Sequence, residues 1–361
     1  MSLLRGAGRG RAFFRFLIAV AWWAAAYLLS EKAAHGFVHG AAYPLLRNAF
    51  EIFLLIVGFG SMEMYWDGGR QPLPALGLPA RTGAGREFAL GAALGWGMVA
   101  AVLFIEALGG VLYIRLWGSA RAWESLVLQI LVLATASLAA EIAFRGYPFQ
   151  KLIQSTGPVA ATILAGVFFG LLRMEVPGST PTALWVGGVA AVVLSVAYLR
   201  TGALWLCWGL HFSWLASIAI LFGQPLAGNR HASSVIHTFV DGPTWLTGGE
   251  YGPEASLITL AVLWIGLYLL FRITRDLARK YARPQWQPPA VPREPARPFP
   301  PAPPIITPPP LRDSTSPGSE GVAISDQQAP VGEESAAEPV PPNPSVSLPS
   351  ADSPAAGPER G

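Results

Sequence analysis

The residues equipped for chemistry in this chain are few, and they sit in apolar surroundings. The stretch Ala139-Ala-Glu-Ile-Ala-Phe-Arg-Gly-Tyr-Pro-Phe-Gln150 carries a carboxylate, Glu141, and a guanidinium, Arg145, near the end of a long apolar run. On a helix the two lie one turn apart on one face, and the Glu-before-Arg order is the better one for an ion pair. An ionisable residue within or at the edge of a membrane is costly, which makes it a functional-site hypothesis by default. Two readings follow: a pair that neutralises itself and ties two helices together, or the remains of a catalytic site. Arg173 closes a later apolar run, and His211 lies inside another. Arg173 reads as a helix-end residue snorkelling to water, or as a fixed cation that pairs with Glu141 and suits an anion such as a peptide carboxylate or lipid headgroup. His211 reads equally as a hydrogen-bonded structural histidine or as a site residue.

Several hydrolytic chemistries are excluded by what is missing. The chain has no His-Glu-x-x-His, no aspartate within an apolar span, and no Gly-x-Ser-Gly beside a membrane histidine. Its single cysteine, Cys207, permits neither an intrachain disulfide nor a thiolate zinc cluster, and reads as a small buried hydrophobe. His35, His39, His231 and His237 fall in predicted loops and read as solvated rather than as ligands. Glu51 is expected near an interface or paired with a neighbour. No metal and no cofactor are expected.

These residues must be positioned by membrane helices. The chain is 52% hydrophobic and 13% charged, against about a quarter charged in soluble domains. The net charge of +3 is small. The basic residues cluster at the ends of apolar runs, which suits membrane orientation and not nucleic-acid binding. Apolar runs of spanning length are predicted from Ala12 to about Leu29, Tyr43 to Met62, Phe88 to Leu112, Trp123 through the Glu141–Arg145 stretch, Val159 to Leu172, Ala183 to Leu199, Ala203 to Phe222, and Leu257 to Phe271. The first run could be a signal peptide, but it shows no clear cleavage site and is read as the first span. Gly91, Gly95 and Gly97 in the third are expected to serve helix packing. Pro148 is expected to end or kink the fourth, and Lys151 to mark its aqueous edge. The tryptophans, Trp22, Trp23, Trp117 and Trp123 among them, suit interfacial belts or core packing.

The fold class is therefore all-α: a polytopic membrane helix bundle of about eight transmembrane helices with a disordered C-terminal tail. Arginines before the first span, at Arg70, Arg81 and Arg86, and after the last, from Arg272 to Arg283, predict cytoplasmic N- and C-termini. From Pro284 onward proline, alanine, serine and glutamate dominate, a composition with nothing to bury. The chain divides into residues 1–74, the first two helices and a loop; residues 75–272, a membrane core holding the motifs; and residues 273–361, a basic juxtamembrane segment with the Pro-rich tail.

Glu141, Arg173 and His211, with their surroundings, resemble the CPBP family of CAAX prenyl proteases, bacteriocin-processing proteins and lysostaphin-resistance-like membrane proteins. Members carry Glu-Glu-x-x-x-Arg, Phe-x-x-x-His and His-x-x-x-Asn (or Asp) on successive membrane helices. Here the first appears as Ala140-Glu141-Ile-Ala-Phe-Arg145, followed by the family-like Gly-Tyr-Pro-Phe-Gln. The second appears as Phe169-Gly-Leu-Leu-Arg173, and the third as His211-Phe-Ser-Trp-Leu215. The loop Trp245-Leu-Thr-Gly-Gly-Glu-Tyr-Gly-Pro-Glu also looks like bacterial members. The resemblance runs from about Ala75 to Phe271 and is strongest between Ala139 and Leu215.

That resemblance implies an intramembrane, metal-independent endopeptidase in which the first Glu and the motif-two His activate water, while the motif-three His and Asn stabilise the oxyanion. Glu141, Arg145 and His211 are the retained candidates for a catalytic role, and Arg173 the candidate for substrate binding. The departures are Ala140, Arg173 and Leu215. Alanine accepts no proton, and arginine stays charged and has no lone pair to offer. Loss of one oxyanion donor alone lowers rate by about 10²–10³. One residue along a helix turns a side chain by about 100°, so Glu141 is expected to point away from the place left by Ala140. Glu175 lies two residues past Arg173, and no spacing ties it to the site. The expected function is a pseudoprotease that binds membrane-proximal peptide or protein. The alternatives are an active CAAX-protease-type endopeptidase, and, with less support, a small permease. Expected partners are the bilayer of a bacterial plasma membrane and a peptide or membrane protein, with no nucleic acid.

Overall fold

A computed structural model describes residues 2–69, 71–116, 120–229 and 236–281, with backbone alone at 2–7, 115–116, 120–125 and 236–237. The predicted tail beyond Pro284 lies outside these residues, as do Arg70, His231 and Arg283.

The described chain is helical almost throughout. Helices α1 (Ser2–Phe37) and α2 (Tyr43–Asp67) are followed by a single turn α3 (Pro72–Ala75) and by α4 (Ala84–Leu108). Strand β1 (Leu112–Leu116) leads to α5 (Ala120–Arg145), α6 (Tyr147–Thr156), α7 (Pro158–Met174), α8 (Pro181–Thr201) and α9 (Leu204–Ala216), which ends in a π-helical turn over Ser217–Leu221. Strand β2 (Ile236–Val240), the turn α10 (Thr244–Thr247) and two 3-10 turns (Gly249–Tyr251 and Pro253–Ala255) precede α11 (Leu257–Ile273) and α12 (Arg275–Tyr281).

Among the described residues, six helical segments are long and apolar enough to cross a membrane, and the α11–α12 pair, bent by 56°, makes a seventh if taken as one span. The eighth apolar helix, α7, has 17 residues. The all-α polytopic bundle is therefore what the sequence predicts, with corrections in detail. The third helix stops at Leu108, a turn at Gly109–Gly110 follows, and from Leu112 the chain is extended: β1 pairs antiparallel with β2, Tyr113 opposite Phe239. The Gln224–Ser256 loop is thus not wholly irregular. His35 lies within α1, 3.6 Å from Glu31, not in a loop.

Helix ends follow local chemistry. Thr180 accepts from Ala183 N–H and caps α8, and Ser256 accepts from Thr259 N–H and caps α11. Gly202, with φ of 62°, closes α8 in the left-handed region so the chain can reverse into α9. The break between α5 and α6 falls at Gly146, with Pro148 in the first turn of α6 as proline's missing N–H favours.

Close helix contacts come from small residues. A Cβ on Gly91 would run into the backbone of Leu206, one on Gly95 into that of Leu210, and one on Gly209 into that of Phe88. The seam between α4 and α9 is therefore backbone against backbone, the arrangement that drives association where lipid is as apolar as the core. Gly97 faces open space and takes no part in it. Gly166 and Gly170 of α7 meet Gly188 and Leu184 of α8 in the same manner.

At one end of the bundle, charges staple three helices. Asp67 of α2 receives Arg15 from α1 at 2.6 Å, Lys151 from α6 at 2.9 Å and the Tyr147 hydroxyl at 3.1 Å. The expectation that Lys151 marks an aqueous edge is corrected: its side chain is 3% exposed and lies 4.7 Å from the Tyr147 ring. The α1–α2 hairpin folds over α6, which removes Lys151 from water. Asp67→Ala is expected to lower stability by about 3 kcal/mol, because it leaves the buried Lys151 ammonium with only the more distant Glu63 carboxylate, 3.9 Å away, as counter-charge. The midpoint of thermal denaturation in detergent measures it; Arg15→Ala, at a more exposed partner, should have a smaller effect.

Candidate functional site

Four helices converge on the Glu141 carboxylate or the cation that neutralises it. Glu141 and Arg145 project from the last turns of α5, and His211 from the middle of α9. The two helices are held at this depth by a side-chain bond, Trp208 Nε1 to the Ala134 carbonyl at 3.0 Å. Glu141 Oε1 lies 2.7 Å from His211 Nδ1 and 3.5 Å from an Arg145 terminal nitrogen. Glu141 is fully buried and Arg145 nearly so. Arg145 also donates to the Ala191 carbonyl of α8 at 3.2 Å.

Helical geometry turns Glu141 away from the place left by Ala140. It does not occupy the place of residue 140, but it faces α9 and meets His211 directly. A carboxylate accepting from Nδ1–H fixes the imidazole in the tautomer whose Nε2 carries a lone pair. Nε2 has no hydrogen bond among the described residues, and the His211 side chain keeps 12% of its surface. The centre is not fully satisfied: Glu141 Oε2 and two Arg145 nitrogens, Nε and one terminal nitrogen, are buried without hydrogen bonds among the described residues.

Arg173 is not paired with Glu141. At the end of α7, its guanidinium donates to Glu254 Oε1 at 3.0 Å, and the same oxygen receives Trp214 Nε1 from α9 at 3.2 Å. Glu254 sits on the second 3-10 turn, so the segment between β2 and α11 is strapped to α7 and α9 through one carboxylate. The Phe169 ring lies near both cations, 6.0 Å from the Arg145 guanidinium carbon and 5.3 Å from that of Arg173. Tyr251 stands beside Arg173 without a hydrogen bond of good geometry; burial pushes its phenol up, and the guanidinium works against that.

Of the residues singled out from sequence, Glu141, Arg145 and His211 come together, and Arg173 shares the Phe169 ring with Arg145. Ala140 and Leu215 are half-buried and bring no polar group. Glu175 is exposed and stays outside. Glu51 is buried and pairs with Arg47 at 3.6 Å, as expected of a neighbour pair. Glu254 and Trp214 were not legible as site residues. The available signal was an acidic residue at the end of a Gly-rich loop, directly before an apolar helix. Glu106 also escapes the sequence reading: it is fully buried in α4, and neither oxygen has a partner among the described residues. Among the described residues no group of three or more His, Cys, Asp or Glu could hold a metal ion.

A bundle of apolar helices enclosing a Glu–His–Arg centre defines a multi-pass membrane protein. Residues 122–217, which hold that centre, match the family model of the type II CAAX prenyl endopeptidase Rce1-like proteins. The chain thus carries a CPBP-type, CAAX-protease-like segment, as the motif resemblance implied. No curated protein and no solved structure matches the chain.

Proposed function

We propose that this protein holds a membrane-proximal peptide or protein segment without cleaving it, as a catalytically impaired relative of the CAAX proteases. The observation that supports this reading most is the employment of the ionisable groups. Water activation in the family needs a carboxylate and an imidazole at the positions of Ala140 and Arg173. A methyl group stands at one, and at the other a guanidinium already tied to Glu254. Glu141, the carboxylate nearest the centre, is engaged by both His211 and Arg145. The surroundings suit the bacterial plasma membrane, with both termini cytoplasmic. The bilayer and a peptide or membrane protein are the partners, with no metal or cofactor taking part.

A second reading rests on one distance. Glu141 at 2.7 Å from Nδ1 orients His211 as a general base, since a carboxylate behind an imidazole raises its basicity and fixes its tautomer. In that case His211 draws the proton from water through Nε2, and Arg145 balances the carboxylate.

Cleavage of membrane-segment peptides by the purified protein in detergent separates the two. The binding reading expects no product from the natural chain, and new cleavage from the triple variant Ala140→Glu, Arg173→His, Leu215→Asn. Cleavage by the natural chain that is lost in His211→Ala and Glu141→Ala establishes the second reading and removes the first.

A further inference from the structure

We propose that the corner where α8 meets the α11–α12 bend binds an anionic phospholipid, with Arg200 as the fixed cation for its phosphate and the outer face of α11 as the bed for an acyl chain. This site stands apart from both readings of the Glu141–His211 centre.

Arg200 lies in the last turn of α8 and is half-buried. Its guanidinium is held by neutral groups. Nε donates to the Thr274 hydroxyl at 2.9 Å, and one terminal nitrogen donates to the Phe271 carbonyl at 3.0 Å. The Phe271 ring lies 5.2 Å from the guanidinium carbon. The other terminal nitrogen has no hydrogen bond, and no carboxylate pairs with Arg200, among the described residues. The acids nearby are engaged or outside. Tyr281 of α12 lies 4.0 Å from the Arg81 guanidinium carbon, and Arg81 pairs with Glu87. Asp276 lies 3.9 Å from Arg279, with both side chains in water. Arg272 and Arg275, each one residue beyond a partner of Arg200, are exposed and have no carboxylate partner among the described residues. A positioned, half-buried cation with further unpaired arginines beside it calls for an anion from outside the chain.

What lies alongside makes that anion a lipid. Helix α11 presents an exposed apolar stripe at Trp264, Ile265, Tyr268 and Leu269. Arg272 continues the stripe, its guanidinium carbon 5.8 Å from the Tyr268 ring. Directly beyond, the chain bends by 56° into the basic α12, which packs on α8. The apolar stripe and the unpaired cations thus meet where a spanning helix leaves the hydrocarbon, at the depth of the lipid phosphates. An acyl chain on the stripe and a phosphate at Arg200 and Arg272 are two parts of one molecule; a free phosphate gains only the second contact. The bonds from Arg200 also cap the end of α11, but a cap alone has no preference among lipids.

The test titrates the full chain in detergent with dioleoylphosphatidylglycerol, with the zwitterionic dioleoylphosphatidylcholine, and with inorganic phosphate. Bound lipid is counted by native mass spectrometry, and folding is followed by thermal denaturation. The natural chain is expected to hold phosphatidylglycerol more tightly than phosphatidylcholine and to gain thermal stability from it. Arg200→Gln should weaken phosphatidylglycerol about fivefold or more and leave phosphatidylcholine unchanged. Arg11→Gln, at an exposed position of α1, should change neither. Should Arg200→Gln fail to fold, the double variant Arg272→Gln, Arg275→Gln, at exposed positions, must weaken phosphatidylglycerol in the same way. Equal retention of the two lipids by the natural chain overturns the site and reduces Arg200 to a cap on α11. A loss in Arg11→Gln as large as that in Arg200→Gln also overturns it, because diffuse surface charge then accounts for the preference. Stabilisation by inorganic phosphate as great as by phosphatidylglycerol overturns the lipid as occupant.

Discussion

Glu141→Ala is expected to be among the most damaging single changes in the membrane core. It removes the acceptor from His211 at 2.7 Å and the counter-charge from Arg145, whose side chain is 1% exposed. Loss of one partner from a buried charge pair typically lowers stability by about 3–5 kcal/mol, because the survivor remains in a low-dielectric interior. A large fall in thermal midpoint in detergent is the expected result. Glu141→Gln should fall between: its amide oxygen still accepts from Nδ1–H, but it no longer balances the guanidinium. Arg145→Met combined with Glu141→Gln should recover part of the loss, since two neutral side chains leave no stranded charge. If Glu141→Ala unfolds no earlier than the natural chain, the carboxylate is not holding this centre together.

Gly209→Leu should be as severe for a different reason. A side chain at this position would enter the backbone of Phe88, and no rotamer relieves a clash that begins at Cβ. Overpacking into deformable side chains costs about 1–3 kcal/mol; against a helix backbone the two helices must separate. Because α9 carries His211 and Trp214, their separation from α4 would also disturb the centre. The yield of monodisperse protein and its thermal midpoint measure the effect. Gly97→Leu, on the same helix as the partner seam but facing open space, is expected to change neither.

The contrast between Gly209 and Gly97 also shows what can be read from a sequence here. Apolar length gave the helices, since spans need about 20 residues and the composition offers little else. Helical spacing placed Glu141 and Arg145 on one face. The motif pattern located His211 and Arg173. Spacing alone did not reveal which glycines face a neighbour, because the rotation of a helix in a bundle is set by all its contacts. It also did not reveal that Glu141 meets α9: the residues are 70 apart in the chain, and only helix order brings them together. The pairing of Arg173 with Glu254 was hidden for the same reason, at a separation of 81. Lys151 misled because a lysine after an apolar run ordinarily reaches water, and here the first two helices fold over it.

The shortness of α7 has a consequence for the lipid around it. Its 17 residues rise roughly 25 Å at about 1.5 Å each, several ångströms below the hydrocarbon thickness of about 30 Å. The face bearing Val159, Ile163 and Val167 is exposed and apolar, so acyl chains there must compress to match it. A spanning α7 would draw the bilayer thinner along that side of the bundle. An incoming chain would cross less hydrocarbon there than beside the longer helices α2 and α4.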